Sequence, residues 1–263
     1  MERHRLKAAM ILILALLNLF LAVHLVRLRA LEAAAQRLSA EQLSALFEEG
    51  GVTLSPGAIS HKSLSPGCYL ERDEALGGRL AAFFLPDGTQ ERREDDGTRV
   101  WTDADGGVTV RLTSSGAFTV TGLTGSGLPR CRQFCRQFGY EAPQGDGEGI
   151  CIVKALYNRL EVCNCQAVFT FRDGDWQTAA GTLIPRRTVP FSRDVHLLSA
   201  AAALSAFLSY QLENHAVVSS VNGMEQCCVL RSGEEAALEP VWRILTDTVD
   251  YYVNGVDGTI FLM

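Results

Sequence analysis

The chain has 263 residues, 47% of them apolar, and a formal net charge of −6. That length holds one or two compact domains of roughly 100–200 residues each. Residues 1–29 carry five basic side chains and one acidic one, so the rest of the chain carries −10, a surface that repels phosphate backbones and excludes a nucleic-acid partner.

The first element is the run Ala8 to Val26, 19 residues without Asp, Glu, Lys or Arg, fenced by Arg3, Arg5 and Lys7 before it and by Arg27 and Arg29 after it. About 20 apolar residues of helix span a hydrocarbon core. A cleaved signal peptide would show a shorter apolar region of about 7–15 residues followed by small residues at the cut. Ala33-Ala34-Ala35 supplies small residues, but Arg27, Arg29 and Glu32 intervene. The sequence therefore predicts an uncleaved, single-pass transmembrane helix at 8–26, with a cytoplasmic tail at 1–7 and a polar stalk at 27–38. The basic residues flanking the helix are nearly balanced. Long domains translocate largely regardless of charge, so the amino terminus is expected inside and the large domain outside. Within the span, Ala15, Asn18 and Ala22 stand at i, i+3 and i+7 and share one face. Small residues let a second helix approach, and an intramembrane Asn can hydrogen-bond across. These three residues are the candidate partner-binding face. The competing reading has Asn18 bonded to its own backbone on a helix that meets only lipid.

Ser39-Ala40-Glu41-Gln42 reads as a capping box. Leu43, Leu46 and Phe47 follow at helical spacing, and Gly50-Gly51 ends the helix. "VTLSPGAI" is a short strand and turn. From Arg79 to Val120, "RLAAFFL", "TRVWT", "VTVRL" and "AFTV" alternate or run apolar between Asp-Gly and Ser-Gly turns, the pattern of a β-meander. The Gly-rich stretch at 122–129 marks a boundary near residue 124.

Beyond it the pattern predicts a helix near Leu128–Phe138 and strands near Ile150–Leu156, Leu160–Phe171 and Trp176–Ile184. A second helix is expected at about Val195–Asn214. Strands follow near Val217–Val221, Gln226–Leu230, Val241–Thr246, Tyr251–Val253 and Thr259–Leu262. The expected fold is α+β: a transmembrane helix, then an extracytoplasmic region of antiparallel β-meanders, each packed with a helix. It divides into a membrane-proximal domain at 39–124 and a carboxy-terminal domain at 125–263.

The motifs of common catalytic sites are absent. There is no His-Glu-x-x-His, no phosphate-binding Gly-x-x-x-x-Gly-Lys-Ser/Thr and no Gly-x-Ser-x-Gly elbow. Asp103-x-Asp105-Gly106 resembles a calcium loop, but its Gly comes too early and the twelfth position is Ser114, so it reads as a turn. His61, His196 and His215 lie far apart in the chain. Eight cysteines in an external domain permit disulfides. Cys131 with Cys135 and Cys163 with Cys165 are the candidate residues. Their spacing also suits a soft metal, although Cys163 and Cys165 fall in a strand pattern, where residues two apart share a face. The blander reading makes the cysteines small buried hydrophobes with a few bridges. No enzymatic activity, cofactor or metal is expected.

Both ends of the chain resemble one family. The segment "KAAMILILALLNLFLAVHL" at 7–25 is similar to the anchor of the YycI and YycH proteins, accessory regulators of the WalK (YycG) sensor histidine kinase of Gram-positive bacteria. The segment "LEPVWRILTDTVDYYVNGVDGTI" at 238–260 resembles the close of YycI-like domains, and "VFTFRDGDWQTAAGTLI" at 168–184 fits more loosely. By size YycI is the nearer match. The resemblance implies a single-pass anchor in the cell membrane, an extracytoplasmic α+β region and no catalysis. It also implies a membrane helix that contacts the kinase's own helices, with a YycH-like protein as a second partner. Ala15, Asn18 and Ala22 would form that contact. The alternative is an extracytoplasmic protein that binds a peptide or cell-wall fragment, with the helix only as tether.

Overall fold

The computed structural model describes residues 41–263 apart from His61, residues 86–88, Ser126, residues 145–146, 193–194 and 215–216 and Glu234; it also describes Leu14, Leu17 and Asn18. Most of the expected span at 8–26, the tail at 1–7 and the stalk at 27–38 therefore lie outside the described residues. Leu14, Leu17 and Asn18 are helical and exposed. Among the described residues no helix is long and apolar enough to cross a membrane.

The fold is α+β, as the alternation of helical and strand periods predicts. Helix α1 (residues 41–49) leads to β1 (Thr53–Leu54) and β2 (Cys68–Leu70). Three units then follow, each a helix and a meander. The first is α2 (Ala75–Phe84) with β3 (Gln90–Arg93), β4 (Arg99–Thr102), β5 (Thr109–Leu112) and β6 (Ala117–Thr121). The second is α3 (Gly127–Phe138) with β7 (Gly149–Tyr157), β8 (Leu160–Arg172) and β9 (Asp175–Thr182), followed by the short β10 (Thr188–Pro190). The third is α4 (Ala200–Asn214) with β11 (Ser220–Arg231), β12 (Ala237–Thr246), β13 (Tyr251–Asn254) and β14 (Ile260–Phe261).

The meanders join in one sheet of order β10-β2-β12-β11-β8-β9-β6-β5-β4-β3, with β1, β7, β13 and β14 paired off that path. Pairing is antiparallel except for β1 on β11 and β11 on β8. The seam between the second and third meanders is the parallel contact of β11 with β8, where the only registered pair is Cys228 with Val162. Antiparallel pairing of β6 with β9 carries the sheet across the Gly-rich stretch at 122–129.

Three local readings differ from the sequence pattern. "RLAAFFL", expected as the first strand of a meander, belongs to α2. Its apolar run has no period of its own, but Leu76, Leu80, Ala81 and Phe84 are buried at helical spacing, and helical spacing extends upstream of Arg79. Helix α4 starts at Ala200 rather than near Val195, because Ser199 caps it: the Ala202 N–H donates to Ser199 Oγ at 3.2 Å. Leu198 stays extended; its carbonyl accepts from Trp242 Nε1 at 3.0 Å and its N–H donates to Gly255 O at 2.8 Å. β11 is one strand where two were expected, since the sheet absorbs Asn222 as an unpaired extra residue between Val221 and Gly223.

Two cores lie under the helices. Phe134 of α3 is fully buried and meets the rings of Phe83, Phe84, Phe118, Phe138, Tyr140, Phe169 and Trp176 within 6.0 Å. Full burial of such a side chain contributes about 1.5–3 kcal/mol, and it ties α3 to α2 and the central strands. The second core seats α1 and α4, through Phe47, Leu204 and Phe207, on Val221, Trp242, Ile244 and Val253. A smaller cluster of Cys227, Val241 and Tyr252, with Cys163 against it, covers another part of the sheet.

Candidate functional site

Of the candidate partner face, Asn18 is described, helical and exposed; Ala15 and Ala22 lie outside the described residues. His61 and His215 also lie outside them, and His196 is exposed. Among the described residues no three His, Cys, Asp or Glu side chains converge as a metal site.

All eight cysteines are free thiols. Cys131 and Cys135, one helical turn apart on α3, point into the main core beside Phe134. The Cys135 thiol and burial push the Cys131 thiol up. Cys163 and Cys165 do not share an environment, contrary to the strand-face expectation. Residues 163–165 are an insertion in β8: Lys154 of β7 pairs with Gln166, yet Ala155 pairs with Val162. The strand face is lost across such an irregularity. Cys165 enters the main core, where burial pushes its thiol up to about 12. Cys163 instead faces Cys227 of β11, whose thiol is raised by Cys163 first and by burial second. Burial also lifts the Cys228 thiol to about 12. Nucleophilic and metal-binding cysteines have lowered pKa values; these raised thiols are packed as small apolar groups.

The insertion in β8 has a second consequence. The Asn164 side chain takes the place of a peptide group at the seam: its Nδ2 donates to Leu230 O at 2.8 Å, and its Oδ1 accepts from the Leu230 N–H at 2.8 Å. Beside it, Arg243 of β12 reaches across β11. Its Nη1 donates to Glu161 Oε1 and Oε2 at 3.1 and 3.2 Å, and its Nη2 to Glu225 Oε2. Lys154 Nζ closes the group on Glu161 at 2.6 Å. The Arg243 and Glu161 side chains are only 15% and 17% exposed, so the pair is largely shielded from water. Burial opposes the charge on Arg243, but Glu225 and Glu161 outweigh it and raise its pKa. Two positive and two negative side chains from four strands thus balance at the seam. Sequence reasoning took "VWRIL" only as strand; the signal it passed over is a single charge inside an apolar run, which in a folded chain demands a partner.

A cleft of about 340 Å³ opens between α2 and α3, lined by Arg79, Ala82, Phe83, Arg130, Gln133 and Gln137. Its volume falls in the lower part of the range for small-ligand sites. Arg130 Nη2 caps the end of α2, donating to Phe83 O at 2.9 Å, and its guanidinium lies 5.6 Å from the Phe83 ring centre. Arg79 Nη2 donates to Asp73 Oδ2 at 2.5 Å and holds that carboxyl below its ordinary range.

No protein-family model matches the chain and no curated protein matches it. Among solved structures the chain is similar to an uncharacterized protein from Eubacterium rectale, with a TM-score of 0.41 and 8% identity over 81% of this chain and 90% of that one. It is also similar to the Bacillus megaterium YpeB C-terminal domain, with a TM-score of 0.36 and 13% identity over 74% of this chain and 99% of that one. Both likenesses are too distant to carry an argument about this chain.

Proposed function

We propose that this chain is a membrane-anchored, non-enzymatic regulator of a sensor histidine kinase, of the YycI kind. The observation that carries the reading is the uncharged run Ala8 to Val26 with Asn18 set among small residues at Ala15 and Ala22. A polar side chain at that depth is costly in lipid and is retained where a neighbouring helix answers it. The amino terminus lies in the cytoplasm, and the helix-and-meander region lies outside as the sensing and assembly part. A WalK-like kinase is the partner, with a YycH-like protein as a second one. The YycI-like stretches at 7–25 and 238–260 support the same assignment.

The test is co-purification from native membranes. Replacing Asn18 and Ala22 together with Leu keeps the helix apolar but removes the polar group and fills the close-approach face. The expected result is loss of the histidine kinase from the purified complex and altered output of its regulon. Unchanged recovery and unchanged output would sink the helix-contact reading. A photoreactive residue at Ala15 separates the second reading, that of an extracytoplasmic peptide- or cell-wall-fragment-binding protein with the helix only as tether. Capture of lipid alone favours the tether, and the α2–α3 cleft is the observation that speaks for it.

A further inference from the structure

The α2–α3 cleft concentrates positive charge on a chain whose net charge is −6. Helix α3 has no acidic residue and gives the cleft Arg130, while its Arg132 and Arg136 lie outside the lining. Arg186 reaches the end of α3, donating from Nη2 to Gln137 O at 2.6 Å, and Arg79 of α2 lines the cleft opposite Arg130. Among the described residues, the carboxylate paired with the cleft's cations is Asp73, on Arg79. Arg130 and Arg79 each use one nitrogen in these contacts. Their other guanidinium N–H groups, and the side-chain amides of Gln133 and Gln137, have no hydrogen-bond partner among the described residues.

This set of groups favours one chemistry. Guanidinium forks match carboxylates in a bidentate geometry. A primary amide offers both a donor and an acceptor, which complements a peptide group. The Phe83 ring gives the cleft an apolar wall. A long polyanion would meet the acidic remainder of the surface, so a short ligand fits better.

We propose that the α2–α3 cleft binds a short acidic peptide segment, its carboxylate held between Arg79 and Arg130 and its backbone amide against Gln133 and Gln137. The site is independent of the membrane helix contact. It would serve a kinase regulator as its input and a tethered binding protein as its main activity.

The test uses the full chain in neutral detergent and a fluorescent, acetylated Ala-Glu-Ala-Glu amide, read by anisotropy. Saturable binding is expected, weakened roughly tenfold by Arg79→Gln. Gln133→Leu, at an exposed position outside the core, should weaken it as well and guards against a folding defect in the first variant. Arg136→Gln removes the same charge from the outer face of α3 and should leave binding unchanged. The Asn18→Leu/Ala22→Leu protein should bind the peptide as the parent does, so failure of the kinase contact and failure of the cleft are distinguishable. Four results would each overturn the proposal: no saturation, equal binding of the Ala-Gln-Ala-Gln peptide, displacement by an equal concentration of inorganic phosphate, or an equal loss in Arg136→Gln.

Discussion

Asn164 shows how one side chain can stand in for backbone. The seam between β8 and β11 has one registered pair, and the amide of Asn164 supplies a second, reciprocal one to Leu230. Each such bond is worth about 1 kcal/mol net. Asn164→Ala should therefore cost about 1–2 kcal/mol in urea unfolding. Asn164→Asp keeps the acceptor for the Leu230 N–H but loses the donor, and should cost more than half as much because a carboxylate then faces a carbonyl. An Asp variant as stable as the parent would show that the donor contributes nothing. Neither this role nor that of Arg243 was legible locally. The charge of Arg243 inside "VWRIL" is visible in the sequence, but its partners Glu161 and Glu225 stand 82 and 18 residues away. Sequence proximity likewise suggested Cys165 as the neighbour of Cys163; the insertion in β8 gives it Cys227 instead.

At the scale of the element, α2 was misread and α3 was not. The buried residues of α3 lie among Arg and Gln in a clear helical stripe, Cys131, Phe134, Cys135 and Phe138. In α2 the polar positions are few, and "LAAFFL" suits a buried strand as well as a helix. What makes α2 a helix is the packing it permits. Gly77 lets the helix settle on the Trp101 ring: a Cβ there would stand 2.6 Å from Trp101 Cη2 and 3.1 Å from Arg99 Nη1. Trp101 is 2% exposed and has no room to retreat. Gly77→Ala should thus destabilise by about 1–3 kcal/mol through overpacking. Its neighbour Gly78 is exposed and a Cβ there meets nothing within 4 Å, so Gly78→Ala should stabilise by about 0.5–1 kcal/mol. The two variants differ by one position and in the sign of the expected change in thermal midpoint. Destabilisation by both would mean that α2 is not set on Trp101 as described. The turn between β7 and β8 gives the opposite lesson, for Asn158 and Arg159 both take positive φ, 49° and 68°, and the local gap between two strand patterns already located it.

For the whole molecule, the buried thiols predict an alkaline limit to stability. Cys165 and Cys228 move from an ordinary 9.0 to about 12 in the fold, and burial lifts Tyr252 from 10.0 to about 12. Groups raised on folding contribute fully below the unfolded value and lose that contribution as pH climbs toward the folded one. Stability should hold up to about pH 9 and then fall toward pH 12, by up to about 1.4 kcal/mol per pH unit for each group. Urea midpoints between pH 7 and 10.5 measure this. The Cys165→Ala/Cys228→Ala protein should show a shallower decline, and an identical decline would remove these two thiols as its cause. At the opposite end, Asp247 accepts from the N–H groups of Ser220 and Ser219 and is held below 3.8 by them. Its contribution is present above that value and is lost as pH falls through the lowered one.

The sequence by itself determined the elements whose causes are short-range: the stripes of α3 and α4, the hairpins set by Asp-Gly and Ser-Gly turns, the uncharged run at 8–26 and the α+β class. These follow from hydrophobic period and turn chemistry, which act over a few residues. Only the tertiary structure decided how three meanders become one sheet, that α2 is a helix, which thiol faces Cys163, and that Arg79 and Arg130 wall a common cleft 51 positions apart in number. Each of those depends on which distant surfaces bury one another, and burial is a property of the assembled core rather than of any window of the chain.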